Sequence, residues 1–206
     1  MAITTYTELK TAIANWLDRD DLTSVIPDFI TIAEKQMERE IRHYKMIERS
    51  SGELDSQYSA VPSDYLETVR FGVITGNTFK LELTTLTDIM TRREGTQNTA
   101  GRPRYYAHIG ETFELFPTPD QAYETELIYY QELPKLSGSQ ASNWLLEDAP
   151  DAYLYGSLMQ ASPYLGEDER VGVWSGLYAK AVSDINRVSE KTSQSSSGMR
   201  IQVNTY

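Results

Sequence analysis

The chain has 206 residues, 40% of them hydrophobic, with 19 basic against 30 acidic side chains and a net charge of -11. It has no cysteine, which excludes disulfide frameworks, thiolate metal sites and thiol catalysis, and its two histidines, His43 and His108, are too few and too far apart for a histidine-rich metal centre. No apolar run reaches the roughly 18 residues of a membrane span, no signal-peptide pattern opens the chain, and the acid excess has the wrong sign for sequence-independent DNA binding. These features imply a soluble protein made in the cytosol, built as one domain or one domain carrying an insertion.

Thr5-x-x-Glu8 is a capping box that opens a short helix to about Leu17, with Tyr6, Leu9, Ile13, Trp16 and Leu17 on one face. After the polar break Asp18-Arg19-Asp20-Asp21, a longer helix is predicted from about Thr23 to Ile47. Its apolar stripe is Val25, Ile26, Phe29, Ile30, Ala33, Met37, Ile41 and Tyr44. Pro27 restricts the start, because proline is tolerated only in the first turn.

From Ser50 to about Lys135 the period changes to that of strands. Val69–Thr75 and Thr78–Thr84 read as a hairpin around Gly76-Asn77, with Phe79, Leu81 and Leu83 on one buried face. Tyr105, Ala107 and Ile109, the turn Gly110-Glu111, then Phe113 and Leu115 read as a second hairpin. Tyr123 to Tyr130 is a further strand, with Tyr123, Thr125, Leu127 and Tyr129 on one side. Asp64–Thr68 and Asp88–Arg93 are read as short helical turns.

Helix returns after the Gly/Ser-rich linker Leu136–Asn143. Asp148 is expected to cap it, Pro150 to sit in its first turn and Pro163 to stop it. The last helix is expected over about Glu169–Ser189, with the stripe Val171, Trp174, Leu177, Tyr178, Ala181, Val182, Ile185 and Val188. Gly172 and Gly176 lie one turn apart beside that stripe, and close approach of another helix would explain both.

The fold class is therefore α+β: an α-helical bundle built from both chain ends, an inserted small antiparallel β domain and an extended C-terminal tail. The expected divisions are 1–49 and 136–192 for the bundle, 50–135 for the β-rich insertion and 193–206 for the tail.

A search for chemistry finds no phosphate loop, dinucleotide fingerprint, paired-histidine zinc motif or Gly-x-Ser-x-Gly elbow. Glu111 and Glu114 near His108 fit a tight hairpin better than an acid–base group. Asp18, Asp20 and Asp21 lack the glycine and terminal glutamate of a calcium loop. No catalytic residue, cofactor or metal is expected. Arg92, Arg93, Arg102 and Arg104 bracket a polar loop and form the one basic cluster, which can meet an acidic partner or a nucleic-acid backbone. The 14 tyrosines against 5 phenylalanines suit either polar-edged packing or an interface. A tyrosine-rich module for carbohydrate recognition is thus the alternative function.

Lys191–Gly198 is serine-rich. It leads to Met199-Arg200-Ile201-Gln202-Val203-Asn204-Thr205-Tyr206, where Met199, Ile201 and Val203 alternate with polar residues. Such a segment can add to a sheet edge or lie in a groove of a partner.

Two stretches carry a family resemblance: Asn143-Trp144-Leu145-Leu146-Glu147-Asp148-Ala149-Pro150-Asp151-Ala152-Tyr153-Leu154-Tyr155-Gly156, and Ala161-Ser162-Pro163-Tyr164-Leu165-Gly166-Glu167-Asp168-Glu169-Arg170 running on to Trp174 and Leu177-Tyr178. With the opening Tyr6-Thr7-Glu8-Leu9 through Trp16-Leu17, Leu22-Thr23 and Ala33-Glu34, they resemble head-to-tail adaptor proteins of short-tailed bacteriophages. The resemblance implies a structural virion protein, not an enzyme. It implies a ring, usually of about twelve subunits, between the portal and the nozzle, tail and fibre proteins, with DNA passing through the lumen without specific binding and no membrane contact. It also implies that the C-terminal extension, here Met199, Arg200, Ile201, Val203 and Tyr206, grips the portal, and it makes the loop at Arg92, Arg93, Arg102 and Arg104 a candidate contact for a tail protein.

Overall fold

The computed structural model describes residues 3–19, 21–95, 100–166 and 169–194. In chain order they form α1 (Tyr6–Leu17), α2 (Ile26–Glu40), β1 (Ile47–Leu54), β2 (Tyr58–Ala60), β3 (Tyr65–Val73), β4 (Phe79–Lys80), β5 (Glu82–Leu83) and α3 (Leu86–Gly95). There follow β6 (Tyr105–Ile109), β7 (Thr112–Phe116), β8 (Tyr123–Gln131), α4 (Trp144–Asp148), α5 (Pro150–Leu165) and α6 (Val171–Gln194). The fold is mixed α+β. It divides into two compact units, Met1–Lys45 with Leu133–Tyr206, and Met46–Glu132.

The first unit is helical. The capping box opens α1: Glu8 N donates to Thr5 Oγ1 at 3.3 Å, and Thr5 N donates to Glu8 Oε2 at 2.9 Å. Asp18 closes it in the left-handed conformation, φ 54°. Leu9, Ile13 and Leu17 of α1 are buried, as are Ile26, Phe29, Ile30, Ala33 and Met37 of α2. α5 packs on α1, α2 and α6. The approach is close at Gly156 of α5, where a Cβ would lie 3.0 Å from Met37 Cε and 3.1 Å from Tyr178 Cε2.

Four expectations for this unit are corrected. The second helix ends at Glu40, not Ile47, because Ile41 is extended and α6 supplies the cap: Asn186 Nδ2 donates to Glu40 O at 3.0 Å, and Arg42 N donates to Asn186 Oδ1 at 2.9 Å. Asp148 does not cap α5. Ala149 stands at that position without a side-chain bond, and Asp148 pairs with Lys45. Asn143 caps α4 instead, accepting from Leu146 N at 2.9 Å. Pro163 lies inside α5, which runs on to Leu165; in the last turn proline removes only one intrahelical bond. Among the described residues no atom lies within 4 Å of a Cβ placed on Gly172 or Gly176, so no close approach of a described helix accounts for them.

The second unit holds two four-stranded sheets, ordered β1-β8-β3-β4 and β2-β7-β6-β5. Their shared core includes Leu54, Phe71, Val73, Leu81, Phe113, Leu115 and Leu127 with three tyrosine rings, Tyr106, Tyr123 and Tyr129. β8 buries Tyr123, Thr125, Leu127 and Tyr129 on alternate positions, as its pattern requires. Gly110, φ 58°, turns β6 into β7.

The expected strand Thr78–Thr84 proves to change sheets. Leu81 N bonds Phe71 O in the first sheet at 2.8 Å, and Glu82 N bonds Arg104 O beside the second, also at 2.8 Å. β5 then pairs parallel with β6, so Leu81 is buried while Leu83 is 65% exposed and not on a shared buried face. Asp64–Thr68 is not a helical turn, since Tyr65 begins β3. Asp88–Arg93 does fall within a helix, α3.

Candidate binding surfaces

The four arginines singled out in the sequence come together at α3 and the segment before β6, and three of them are engaged within the unit. Arg92 Nε donates to Asp88 Oδ2 at 2.7 Å, and its guanidinium lies 4.2 Å from the centre of the Tyr105 ring. That hydrogen bond holds the Asp88 carboxyl below its ordinary range. Arg93 Nη2 donates to Leu115 O at 2.8 Å and lies 3.1 Å from Glu114 Oε1, with both side chains largely buried. Arg102 Nη2 donates to the carbonyls of Thr75 and Asn77 at 2.6 Å each, and its guanidinium stacks 4.2 Å from the Phe79 ring.

Arg102 fastens the segment before β6 to the β3–β4 loop, and Arg93 fastens α3 to β7. Arg104 is exposed, at the edge of a cleft of about 350 Å³ lined also by Phe79, Lys80, Glu82, Arg102 and Tyr105. Lys80 and Glu82 give that cleft mixed charge. Spacing marks the four residues, and the Arg92–Asp88 pair is local, but the acceptors of Arg93 and Arg102 are main-chain carbonyls far along the chain, which no local pattern encodes.

The tyrosines of this unit are mostly structural. Tyr106, Tyr123 and Tyr129 are buried. Tyr129 donates to Asp64 Oδ1 at 2.9 Å, and burial with that carboxylate pushes its hydroxyl up to about 12. Tyr123 donates to Asp120 Oδ1 at 2.6 Å. Tyr65 meets His108 and Phe113 edge-on, with centroids 5.1 and 5.6 Å apart. An open aromatic platform for a sugar needs exposed rings. Here the rings face one another, and Tyr58, 55% exposed, stands on the short strand β2.

Three of the carboxylates weighed for chemistry are likewise placed in other work, and Asp20 lies outside the described residues. Glu114 is buried against Arg93 and accepts from Gln57 Nε2 at 3.0 Å. Asp18 terminates α1, and Asp21 pairs with Arg19 at 2.6 Å. Among the described residues no group of three or more potential metal ligands converges.

The helical unit contains a polar cluster whose members stand far apart in the chain and share no local pattern. Glu34 of α2 is 3% exposed. Its Oε1 accepts from Leu136 N at 2.9 Å and from the Tyr153 hydroxyl at 3.1 Å, and Asn143 Nδ2 donates to that hydroxyl at 2.6 Å and to Pro134 O at 2.8 Å. Burial raises the Glu34 carboxyl above its ordinary range, with the two hydrogen bonds opposing. The Tyr153 hydroxyl is pushed strongly upward, first by burial and then by the Glu34 charge. The cluster ties the segment after the β unit to α2 and α5.

A groove of about 420 Å³ opens on the same unit between α4, the start of α5 and the second half of α6. His43 stacks on Trp144 within it, centroids 4.9 Å apart, and Val188 at its side is 52% exposed. Its acidic rim is Asp148, Asp151 and Asp184. His43 and Trp144 are about a hundred positions apart, so sequence proximity could not pair them.

Met199, Arg200, Ile201, Val203 and Tyr206 lie outside the described residues. Among the described residues no helix is long and apolar enough to cross a membrane. No curated protein matches the chain. A family model described as SU10 adaptor protein matches residues 4–202, nearly the full length and both units, and the chain belongs to that family.

Proposed function

We propose that this member of the SU10 adaptor protein family is the head-to-tail adaptor of a short-tailed phage: a ring-forming subunit seated between the portal and the tail or nozzle. The observation that carries the reading is the family match over residues 4–202, which places the chain among structural adaptors of phage particles and spans both of its units. In this reading the ring, of about twelve copies, closes the joint below the portal, offers a platform to nozzle and fibre proteins, and is a component of the virion.

The C-terminal segment Met199–Tyr206 supplies the portal grip. Its alternation puts Met199, Ile201 and Val203 on one side of an extended strand, and Arg200 can meet an acidic group. Ordering about eight residues costs on the order of 8 to 16 kcal/mol of backbone entropy, so main-chain bonds to the partner must add to the apolar contacts. Repetition around a ring adds avidity. Arg104, exposed beside the 350 Å³ cleft, is the member of the arginine cluster best placed to meet a tail protein. The net charge of -11 per chain keeps passing DNA weakly bound.

The test is assembly on purified portal, followed by sedimentation and electron cryomicroscopy. The full chain should form a ring on the portal, and a chain ending at Gly198 should fold yet fail to stay bound. Undiminished binding by the shortened chain would remove the tail from this role. Failure of the full chain to bind any portal assembly would remove the adaptor-ring reading itself.

A further inference from the structure

We infer that the groove at Trp144 and Val188 is the docking site of this chain's own C-terminal segment, Met199–Val203, before assembly. The inference stands on the groove and on where the described chain ends, and does not depend on the portal reading.

The groove has a sided chemistry. Trp144, Ile185 and Val188 present apolar surface that is left partly open, over a floor that includes buried Leu145. The rim carries three carboxylates, Asp148, Asp151 and Asp184. Lys45 pairs with Asp148 at 2.5 Å, and Arg187 pairs with Asp184 at 2.7 Å. One more cation at the mouth would bring the three acids into balance with three bases. An occupant should therefore be an extended apolar strip with a single positive charge. Met199, Ile201 and Val203 with Arg200 between them match that description. The long arginine stem can lie along the apolar wall while its head reaches the rim.

Reach selects this segment over a distant partner. α6 is described to Gln194. Val188 lies about 9 Å back along the helix at 1.5 Å per residue. The five steps from Gln194 to Met199 can span up to about 17 Å, enough to reverse direction and cross the helix radius. A tether this short holds the segment at an effective concentration near the millimolar range, so weak contacts suffice for occupancy. Any partner that takes the tail must first draw it out of the groove.

The test uses the full chain, a chain ending at Gly198, and a synthetic peptide Met199–Tyr206. The readout is the indole resonance of Trp144, assigned with Trp144→Phe. Removal of the tail should shift that resonance, and adding the peptide to the shortened chain should return it toward the full-length position. The peptide should bind the full chain at least tenfold more weakly, because the tethered copy competes. Asp151→Lys with Asp184→Lys in the shortened chain should weaken peptide binding severalfold, and Val188→Glu should do the same through the apolar wall. An unchanged Trp144 signal on truncation overturns the inference, as does equal peptide binding to both chains. A full-length signal that reverts on dilution would assign the groove to a second copy's tail and overturn docking within one chain.

Discussion

The Tyr153 hydroxyl donates to Glu34 Oε1 across 3.1 Å, between two helices whose sequences are separated by the β unit. The carboxylate is buried and has the Leu136 amide as its second donor. A buried carboxylate held chiefly by hydrogen bonds, with the charge of Lys135 the smallest influence on it, works against its own charge.

The sign of the pH effect follows from that placement. Burial raises the folded-state pKa of Glu34 above its ordinary value, so its stability contribution is whole below about pH 4.3 and is lost as pH rises through the folded pKa. Glu34→Gln keeps an acceptor oxygen for both donors and removes the charge. Urea melts from pH 4.5 to 8 should show a flatter stability–pH curve for the variant than for the parent. A curve that stays parallel would mean that Glu34 is not the group responsible.

His43 runs the other way. Burial, aided by Lys45, lowers its pKa below the ordinary histidine value. Its contribution is present above about pH 6.5 and is lost as pH falls through the folded pKa. Replacing His43 by Phe should remove a loss of stability on the acid side and leave the Glu34 slope untouched.

Gly156 and the two glycines of α6 should answer alanine oppositely. At Gly156 the new Cβ meets Met37 and Tyr178 at 3.0 and 3.1 Å, and overpacking of this kind costs about 1 to 3 kcal/mol. At Gly172 and Gly176 no described atom would lie within 4 Å of the new Cβ, and alanine should gain about 0.5 to 1 kcal/mol each from helix propensity. Thermal melts of the three single variants decide it.

Arg93 and Arg104 should also separate. Arg93→Met leaves buried Glu114 without its cation and Leu115 O without its donor, and should cost about 3 kcal/mol. Arg104→Ala, at an exposed position, should stay within about 0.5 kcal/mol. If Arg104 serves a tail protein, its loss should be read in binding and not in the melt.

Asn186 bonds the end of α2 from α6, with one side-chain oxygen and one side-chain nitrogen. Asn186→Ala removes both bonds and should lower stability by about 1 to 2 kcal/mol. Hydrogen exchange should rise first at Ile41 and Arg42. Unchanged protection there would show that α2 ends for another reason.

The helices were legible where burial is one-sided. Leu9, Ile13 and Leu17 or Trp174, Tyr178 and Ala181 repeat at three and four residues because each helix buries one stripe. β8 was legible for the same reason at a period of two. β1 was not, because as an edge strand it is exposed along nearly its whole length and Ile47-Glu48-Arg49-Ser50-Ser51-Gly52-Glu53 carries no alternation. The sheet change at Leu81 leaves no mark in the sequence, because both halves of the segment look like one alternating strand. Of the candidate sites, the arginines could be found by spacing, but the distant carbonyls that hold Arg93 and Arg102 could not. The groove at Trp144 depends on residues that only the tertiary fold brings together.

β1 opens the second unit and β8 closes it, and the two are hydrogen-bonded neighbours, with Ile47 opposite Tyr130. Cross-strand partners lie about 4.5 to 5.5 Å apart, so the polypeptide leaves and returns through a doorway no wider than a hairpin. Seen from α2 and the strand-free segment at Leu133, everything from Met46 to Glu132 amounts to a tight loop. Such a cassette can lengthen, shorten or exchange its outer loops without asking the helices to re-register. A chimera that splices a foreign hairpin between Lys45 and Leu133 should preserve the helical unit's melting transition, which makes the two units separately tunable parts for assembly engineering.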